Sequence, residues 1–335
     1  MGRRLYHANT GPQSAVVGRA EVVRSRPDLA DVWDRAAACF PVRVTRSFWR
    51  RAQRSEALAA QILPDARELE VVDGDHLDPV GDLACSPVPW VVHKYPSRVL
   101  LLLTKRCHLY CRYCFRRNVT MSERTDPSPS EWEAALAYAR DCGATEAILS
   151  GGDPLAVRDS RLFEAIDALS EAIPVLRIHT RAPITKPDRV TRALVEGLSS
   201  RQPVWVVVHA NHPDELSPEV DEALARMVDA GIPVLNQSVL LRGVNDDPTV
   251  LAELFEGLVR RRVFPYYLHH TDRAAGAAHF AVGIEEGLGI YRALRDRVSG
   301  IALPRYVIDP PDGSGKVDVA VFHAGTGTRR VRWRR

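Results

Sequence analysis

The sequence lacks the hydrophobic segments of membrane and secreted proteins. Its longest wholly aliphatic run, Val99–Leu103, is far shorter than the roughly 20 residues that span a bilayer, which excludes an integral membrane protein. The first residues contain no apolar signal core, and Tyr6 stands where a myristoylation signal requires Ser or Thr. We therefore expect a cytoplasmic protein without a membrane partner.

The chain also lacks a strong excess of charge of either sign. Its 335 residues include 45 Lys and Arg against 42 Asp and Glu, and a net charge of +3 is too small to predict a nucleic-acid partner by itself. The basic run Arg329–Arg335 is interpreted as a solvated chain end, with an RNA or partner contact as the alternative. The length of 335 residues permits about two domains or one large α/β barrel, and the apolar residues, 45% of the chain, are enough for a sizeable core.

Short β-rich segments alternate with helical segments from residue 98 onward. This alternation indicates βαβ crossovers and a parallel sheet, and it fits a barrel better than an open sheet. The predicted fold class is α/β, a partial (β/α) barrel of parallel strands with an N-terminal helical segment. The predicted strands are Arg98–Thr104, Glu146–Ser150, Val175–His179, Val204–His209, Val234–Leu241, Phe264–His269 and Arg305–Ile308. The predicted helices are Glu131–Asp141 (opened by Ser130), Arg161–Ala172, Arg189–Leu198, Glu219–Ala230 (closed by Gly231), Val250–Arg261 and Glu285–Val298 (closed by Gly300).

Residues 1–92 differ in character from the rest of the chain. We interpret 1–92 as an N-terminal helical cap and not as a catalytic unit, 93–320 as the barrel with the functional site, and 321–335 as a basic C-terminal tail. The helices predicted in the first segment are Asp28–Phe40, Arg46–Arg54 and Glu56–Ile62.

Three of the six cysteines, Cys107, Cys111 and Cys114, lie within eight residues. A disulfide framework is not expected in a cytosolic chain of this size. Thiolates are soft ligands that suit zinc and iron–sulfur clusters, and C-x3-C-x2-C spacing can hold three corners of a four-iron cluster with one iron open. A closed zinc site needs four ligands, and no second C-x2-C pair follows. Zinc with His108 as a borrowed ligand and three incidental buried thiols remain the alternatives.

This cysteine pattern, with Tyr113 just before its last cysteine, resembles the signature of radical S-adenosylmethionine (SAM) enzymes. The resemblance implies a 4Fe-4S cluster on the three cysteines, whose open iron binds SAM and whose reduction cleaves SAM to a 5′-deoxyadenosyl radical. Gly151, Gly152 and Asp153 match the glycine-rich strand end whose backbone receives the methionine amino group in that superfamily. Two glycines let a main chain approach a ligand closely.

Five segments carry a narrower resemblance: Tyr95–Leu101, Cys114–Arg117, His209–Pro213, Asn236–Asn245 and His279–Phe280. They resemble the lysine 2,3-aminomutase family, and the resemblance covers roughly residues 90 to 320. It implies an isomerase that uses SAM and pyridoxal 5′-phosphate (PLP) to move the amino group of L-lysine from Cα to Cβ, giving β-lysine. A reductant such as flavodoxin or ferredoxin would supply the electron, and a homo-oligomer is compatible with the sequence.

The same resemblance implies the cofactor residues. Lys316, in the loop Asp312–Lys316, matches the catalytic lysine that binds PLP covalently; an exposed loop lysine is the alternative. A phosphate-binding P-loop is excluded there, because Pro310 and Val317 stand where Gly and Ser or Thr are needed. The other implied residues are Lys94, Tyr95, Arg98 and Gln237 for the PLP phosphate, and Arg181 and His209 for SAM. Solubility at Lys94 and Arg98 and a structural role for His209 are the alternatives.

Three further residues are implied for substrate binding. Arg116 matches the residue that receives the substrate carboxylate, a planar task that suits a guanidinium. Asp272 and Asp309 match positions that hold the ε-ammonium of lysine, since a buried cation needs a counter-charge. A surface arginine and solvated loop aspartates are the alternatives. Arginine as a substrate also fits two carboxylates, whereas glutamate fits them less well.

Two other functions stay open. One is the same reaction in the branch that makes β-lysine for modification of elongation factor P, which Tyr267–His269 and Gly276–Phe280 resemble, although Asp309 is not expected there. The other is an iron–sulfur sensor or RNA-binding protein, suggested by the basic tail, which would make no use of Lys316 or Asp272.

Overall fold

The central feature of the fold, in a computed structural model that describes residues 16–120, 124–201 and 203–327, is one sheet of nine strands. Two further short strands pair with each other near the N-terminus. The strands are β1 Val16–Val17, β2 Val44–Thr45, β3 Val91–Tyr95, β4 Arg98–Thr104, β5 Glu146–Gly151, β6 Val175–Thr180, β7 Val204–Val208, β8 Val234–Val239, β9 Phe264–His269, β10 Arg305–Ile308 and β11 Val317–Asp318.

The seven strands β4 to β10 lie side by side in chain order, and every neighbouring pair among them is parallel. Strand β3 pairs antiparallel with β4 and strand β11 antiparallel with β10, so these two short strands form the edges of the sheet. The edges do not pair with each other within the described residues, so the barrel is open. The predicted α/β fold class, a partial barrel of parallel strands, is confirmed.

The helices are α1 Arg19–Ser25, α2 Ala30–Cys39, α3 Arg46–Ala52, α4 Glu56–Ala60, α5 Arg117–Thr120, α6 Pro129–Asp141, α7 Asp159–Ser170, α8 Ala182–Thr185, α9 Arg192–Ser199, α10 Pro218–Asp229, α11 Pro248–Arg260, α12 Ile284–Arg295 and α13 Val319–Gly327. Those from α5 to α12 lie between β4 and β10 and connect the successive parallel strands as βαβ crossovers require.

Two of the predicted helix caps are wrong. Helix α6 begins earlier than expected, because Ser128 caps it: its hydroxyl accepts from Glu131 N at 3.2 Å, and the Glu131 carboxylate accepts from Ser128 N at 2.8 Å. This reciprocal capping box takes the place of the predicted cap at Ser130. Helix α12 ends at Arg295, and Gly300 instead begins a short 3-10 turn, Gly300–Ala302. Gly231 follows α10 with φ +80°, as predicted for a residue that ends a helix.

The N-terminal helices share one hydrophobic core with the barrel. Trp33, Phe48 and Leu58 belong to the same buried cluster as Leu101 and Ile178 of the parallel strands. Burying a side chain of this size contributes roughly 1.5–3 kcal/mol. The division of the chain at residues 92 and 320 stays a prediction.

No helix among the described residues is long and apolar enough to cross a membrane. The first residues, with Tyr6, and the basic run Arg329–Arg335 lie outside the described part of the chain.

Candidate active site

One pocket at the sheet gathers the predicted site residues. Parallel α/β folds place functional groups where the loops that leave the strands converge. Every site residue predicted from the sequence lines this pocket. They are Lys94, Tyr95, Arg98, Cys107, Cys111, Cys114, Arg116, Gly151, Gly152, Asp153, Arg181, His209, Gln237, Asp272, Asp309 and Lys316.

The cysteine motif lies on the loop that leaves β4. No three Cys, His, Asp or Glu side chains in the described ranges are arranged to hold a single metal ion. His108, the ligand considered for zinc, lies with its Nε2 3.1 Å from the carbonyl oxygen of Leu155. Zinc needs ligands that converge on one ion, whereas each thiolate that holds a cubane cluster reaches a different iron. The donor set therefore fits the iron–sulfur cluster.

Arg181 lies against this loop, and its buried guanidinium donates to three polar side chains. Its Nη1 donates to Cys111 Sγ at 2.7 Å, and its Nη2 donates to Glu215 Oε2 at 3.1 Å and to Gln61 Oε1 at 2.6 Å. The sequence implied a contact of Arg181 with SAM, and the structure adds this direct contact with a cysteine of the motif, Cys111. Hydrogen bonds to the sulfurs of a cluster tune its reduction potential.

A second buried network ties the N-terminal segment to the cysteine loop. Glu68 Oε1 accepts from Arg112 Nε at 2.8 Å, and Glu68 Oε2 accepts from Arg117 Nη2 at 2.8 Å. The side chains of Glu68 and Arg112 have no exposed surface. The sequence analysis did not assign these residues; the available signal was the position of Arg112 between two cysteines of the motif.

The glycines after β5 are required for packing within the protein. A Cβ on Gly151, whose φ is +122°, would lie 2.2 Å from the carbonyl oxygen of Thr104, and a Cβ on Gly152 would lie 2.2 Å from that of Arg106. The turn therefore packs directly on the start of the cysteine loop, which is a reason beyond the predicted approach to a ligand. Asp153 Oδ1 accepts from Leu155 N at 2.9 Å, so this carboxylate also shapes the turn.

Lys316 lines the same pocket and lies between Asp309 and Tyr95. Its Nζ donates to Asp309 Oδ2 at 2.8 Å, and its backbone N donates to the Tyr95 hydroxyl. Gly315, with φ +88°, lets this loop approach, since a Cβ there would lie 2.4 Å from the Tyr95 ring. The Arg98 guanidinium lies 3.6 Å from the centre of the same ring, on its face. Tyr95 thus organises the lysine loop and one of the predicted phosphate ligands.

The two predicted substrate carboxyls differ in their protonation. Burial and the charge of Asp309 raise the pKa of Asp272 from 3.8 to about 7, although Lys316 and Lys94 oppose this effect. Burial also acts to raise the pKa of Asp309, but Lys316 and then His269 outweigh it and hold that pKa below its ordinary value. The carboxylate of Asp309 is therefore ionised at neutral pH, whereas the carboxyl of Asp272 loses its proton near pH 7.

A neutral histidine and two cations paired with one carboxylate also line the pocket. Burial and the charge of Arg181 lower the pKa of His209 to about 3, and its Nε2 lies 2.6 Å from Gln237 Nε2. Lys94 and Arg116 both bind one carboxylate, that of Asp82, which the sequence analysis did not assign.

Comparison with known proteins supports the same family. Residues 101–255 match the family model of the radical SAM superfamily. The chain is 41% identical over 278 residues to the L-lysine 2,3-aminomutase of Escherichia coli (strain K12), which covers 81% of this chain and 80% of that protein. It is 40% identical over 263 residues to the L-lysine 2,3-aminomutase of Fusobacterium nucleatum, and the match covers 77% of this chain and 62% of that protein. It is 40% identical over 269 residues to the L-lysine 2,3-aminomutase of Clostridium subterminale, and that match covers 79% of this chain and 64% of the relative.

The chain thus spans less than two thirds of the length of the Fusobacterium and Clostridium relatives, and most of the length of the Escherichia coli relative. The motifs, the open barrel and these identities agree. This chain belongs to the lysine 2,3-aminomutase family of the radical SAM superfamily.

Proposed function

We propose that this chain is an isomerase that moves the amino group of L-lysine from Cα to Cβ, with SAM, a 4Fe-4S cluster and PLP as cofactors. The observation that carries the proposal is that three cysteines, a lysine and two carboxylates line one pocket. When bound, the cluster and SAM supply a radical that abstracts hydrogen, and PLP stabilises the substrate radical through its ring. The L-lysine 2,3-aminomutase names of the relatives support this activity.

The residues around the cysteine loop would hold and tune the cluster. Cys107, Cys111 and Cys114 would each bind one iron and leave the fourth for SAM. Arg181 would keep a permanent positive charge beside one cluster sulfur, because Glu215 and Gln61 hold its guanidinium in place. A reductant such as flavodoxin or ferredoxin would deliver the electron.

The residues around Lys316 would hold PLP. Lys316 would bind PLP covalently. Its loop can lie against the Tyr95 ring because the neighbouring residue, Gly315, has no side chain. Lys94 and Arg98 would bind the phosphate, with Gln237 near them. The pocket side chains would exclude water from the reacting atoms.

The substrate's distal ammonium would lie between Asp272 and Asp309. In the free protein the ammonium of Lys316 contacts Asp309 at 2.8 Å. Once Lys316 carries the cofactor, a substrate cation would take that position, because leaving two carboxylates without a counter-charge is expensive in a buried site. A glutamate side chain would add a third negative charge there, which favours lysine.

The test is anaerobic incubation of the protein with its cluster reconstituted, supplied with SAM, PLP and a reductant, with L-lysine, L-arginine and L-glutamate offered separately. β-Lysine should form from L-lysine, and Lys316→Ala, which keeps the three cysteines, should form none while retaining its iron. Conversion of arginine instead of lysine would reassign the substrate. Unchanged amino acid in all three incubations, with both cofactors bound, would contradict the proposed function.

A further inference from the structure

Asp82 forms ion pairs with both Lys94 and Arg116. In the proposed function Lys94 binds the PLP phosphate and Arg116 binds the substrate carboxylate. Asp82 Oδ1 lies 2.7 Å from Lys94 Nζ, and Asp82 Oδ2 accepts from Arg116 Nε at 3.0 Å and from Arg116 Nη2 at 2.8 Å. The three side chains are nearly buried, with exposed fractions of 12% for Asp82, 9% for Lys94 and 13% for Arg116. Charge pairs at this depth are only weakly screened by solvent. One carboxylate therefore sets the separation of both cations.

The surrounding loop fixes the position of this carboxylate. Asp78 accepts hydrogen bonds from Asp82 N at 2.9 Å and from Leu83 N at 2.8 Å. Gly81 has φ +69°, and a Cβ on it would lie 2.8 Å from the carbonyl oxygen of Pro311, so the loop packs directly on the loop that carries the proposed PLP lysine. The position of Asp82 is therefore fixed by the hydrogen bonds to Asp78 and by the packing of Gly81 against Pro311.

The geometry of the Arg116 guanidinium follows from this contact. Asp82 occupies the edge formed by Nε and Nη2, while Nη1 lies 3.4 Å from Ser150 Oγ at the carboxyl end of β5. The Nη1 side is therefore directed towards the strand ends, where the substrate would bind. Without Asp82 the guanidinium would lose its fixed plane, and Lys94 and Arg116 would face each other as unpaired like charges.

We propose, on the basis of the proposed function, that Asp82 is a positioning residue: it orients Arg116 towards the α-carboxylate of the substrate and links that subsite to the PLP phosphate subsite at Lys94. In this role it acts through Arg116 and Lys94 and not by its own contact with substrate or cofactor. Its own charge is constant over the working range, since Arg116 and Lys94 outweigh burial and hold its pKa at about 2.

A ligand-binding comparison tests this role without requiring turnover. The protein loaded with cluster and PLP is titrated with L-lysine and with 1,5-diaminopentane, which keeps both amines and lacks the carboxylate, and the absorbance of the bound PLP reports binding. Asp82→Asn should raise the Kd for L-lysine about tenfold or more and leave that for 1,5-diaminopentane within about twofold. Asp82→Glu should recover much of the lysine affinity, because it restores the charge. The matched control is Asp73→Asn, which removes an exposed carboxylate from the same segment and should change neither Kd.

Three results would overturn the proposal. An unchanged Kd for L-lysine in Asp82→Asn would mean that Arg116 needs no orientation. An equal loss for both ligands would mean that Asp82 supports the fold or PLP binding in general. Tighter binding of L-lysine would mean that Asp82 competes with the substrate carboxylate for Arg116. A wild-type protein that binds L-lysine but forms no β-lysine contradicts the proposed function alone, because the binding comparison still decides the role of Asp82.

Discussion

Binding of a substrate that carries a distal cation should become tighter as the pH rises through about 7, because Asp272 must lose its proton to accept that cation. With a pKa of about 7, its ionised fraction rises from about one tenth at pH 6 to about nine tenths at pH 8. The Kd for L-lysine should therefore fall about tenfold over this range. The charged groups that act on Asp272 are Asp309, Lys316, Lys94 and Asp82. The carboxylates of Asp82 and Asp309 do not titrate between pH 6 and 8, because neighbouring cations outweigh burial and hold both pKa values below the ordinary range.

The assay compares L-lysine with L-norleucine, which has the same chain length and no ε-ammonium, in titrations of the protein that carries PLP. Both ligands share the α-amino and α-carboxylate groups, so the ratio of their Kd values isolates the distal cation. This ratio should change about tenfold between pH 6 and 8 in the wild type and stay flat in Asp272→Asn. A constant ratio in the wild type, or the same pH dependence in Asp272→Asn, would refute the assignment of Asp272.

The same substitution should affect stability with a defined sign. The folded protein raises the pKa of Asp272 from 3.8 to about 7, so it favours the protonated form. The contribution of this raised pKa to the free energy of unfolding is fully present below pH 3.8 and is lost as the pH rises through about 7. The loss is no more than about 4 kcal/mol. Ligand-free Asp272→Asn should therefore unfold at a higher temperature than the wild type at pH 8, with the advantage reduced at pH 5. Equal unfolding temperatures at pH 8 would show that this carboxyl is not destabilised by its surroundings.

Two other substitutions test the packing of the site. Glu68→Gln should lower the melting temperature by the equivalent of about 3 kcal/mol of unfolding free energy, because it leaves two arginines without their buried counter-charge. Glu70→Gln is the control, since Glu70 is exposed, and it should cost less than about 0.5 kcal/mol. Similar losses in the two variants would refute the role of Glu68 in the buried network. Gly315→Ala should reduce the amount of PLP trapped at the lysine by borohydride, since its Cβ would lie 2.4 Å from the Tyr95 ring. Gly289→Ala, with nothing within 4 Å, is its control, and equal trapping in both would contradict the close approach.

The parallel strands could be predicted closely from the sequence because each is a short segment with apolar or aromatic residues, bounded by helical segments. The bounds of β4, β9 and β10 agree with the prediction at both ends. The sequence did not indicate the edge strands β3 and β11, which are short and carry polar residues such as Lys94 and Asp318. Their pairing with β4 and β10 depends on a neighbouring strand, which local periodicity does not report.

The site could be predicted where its residues follow the parallel strands, and was missed where they come from the N-terminal segment. Asp82 contacts a residue 34 positions away and Glu68 one 44 positions away, so neither belongs to a local motif with the side chain that it holds. Both are single acidic residues in a stretch of loops and short 3-10 turns, where such residues are ordinarily solvated. Their burial follows from the shared core, which brings the N-terminal segment against the cysteine loop and the lysine loop. The segment interpreted as a helical cap therefore supplies the counter-charges for arginines on the cysteine loop and at the start of α5, and only the tertiary structure reveals this contribution.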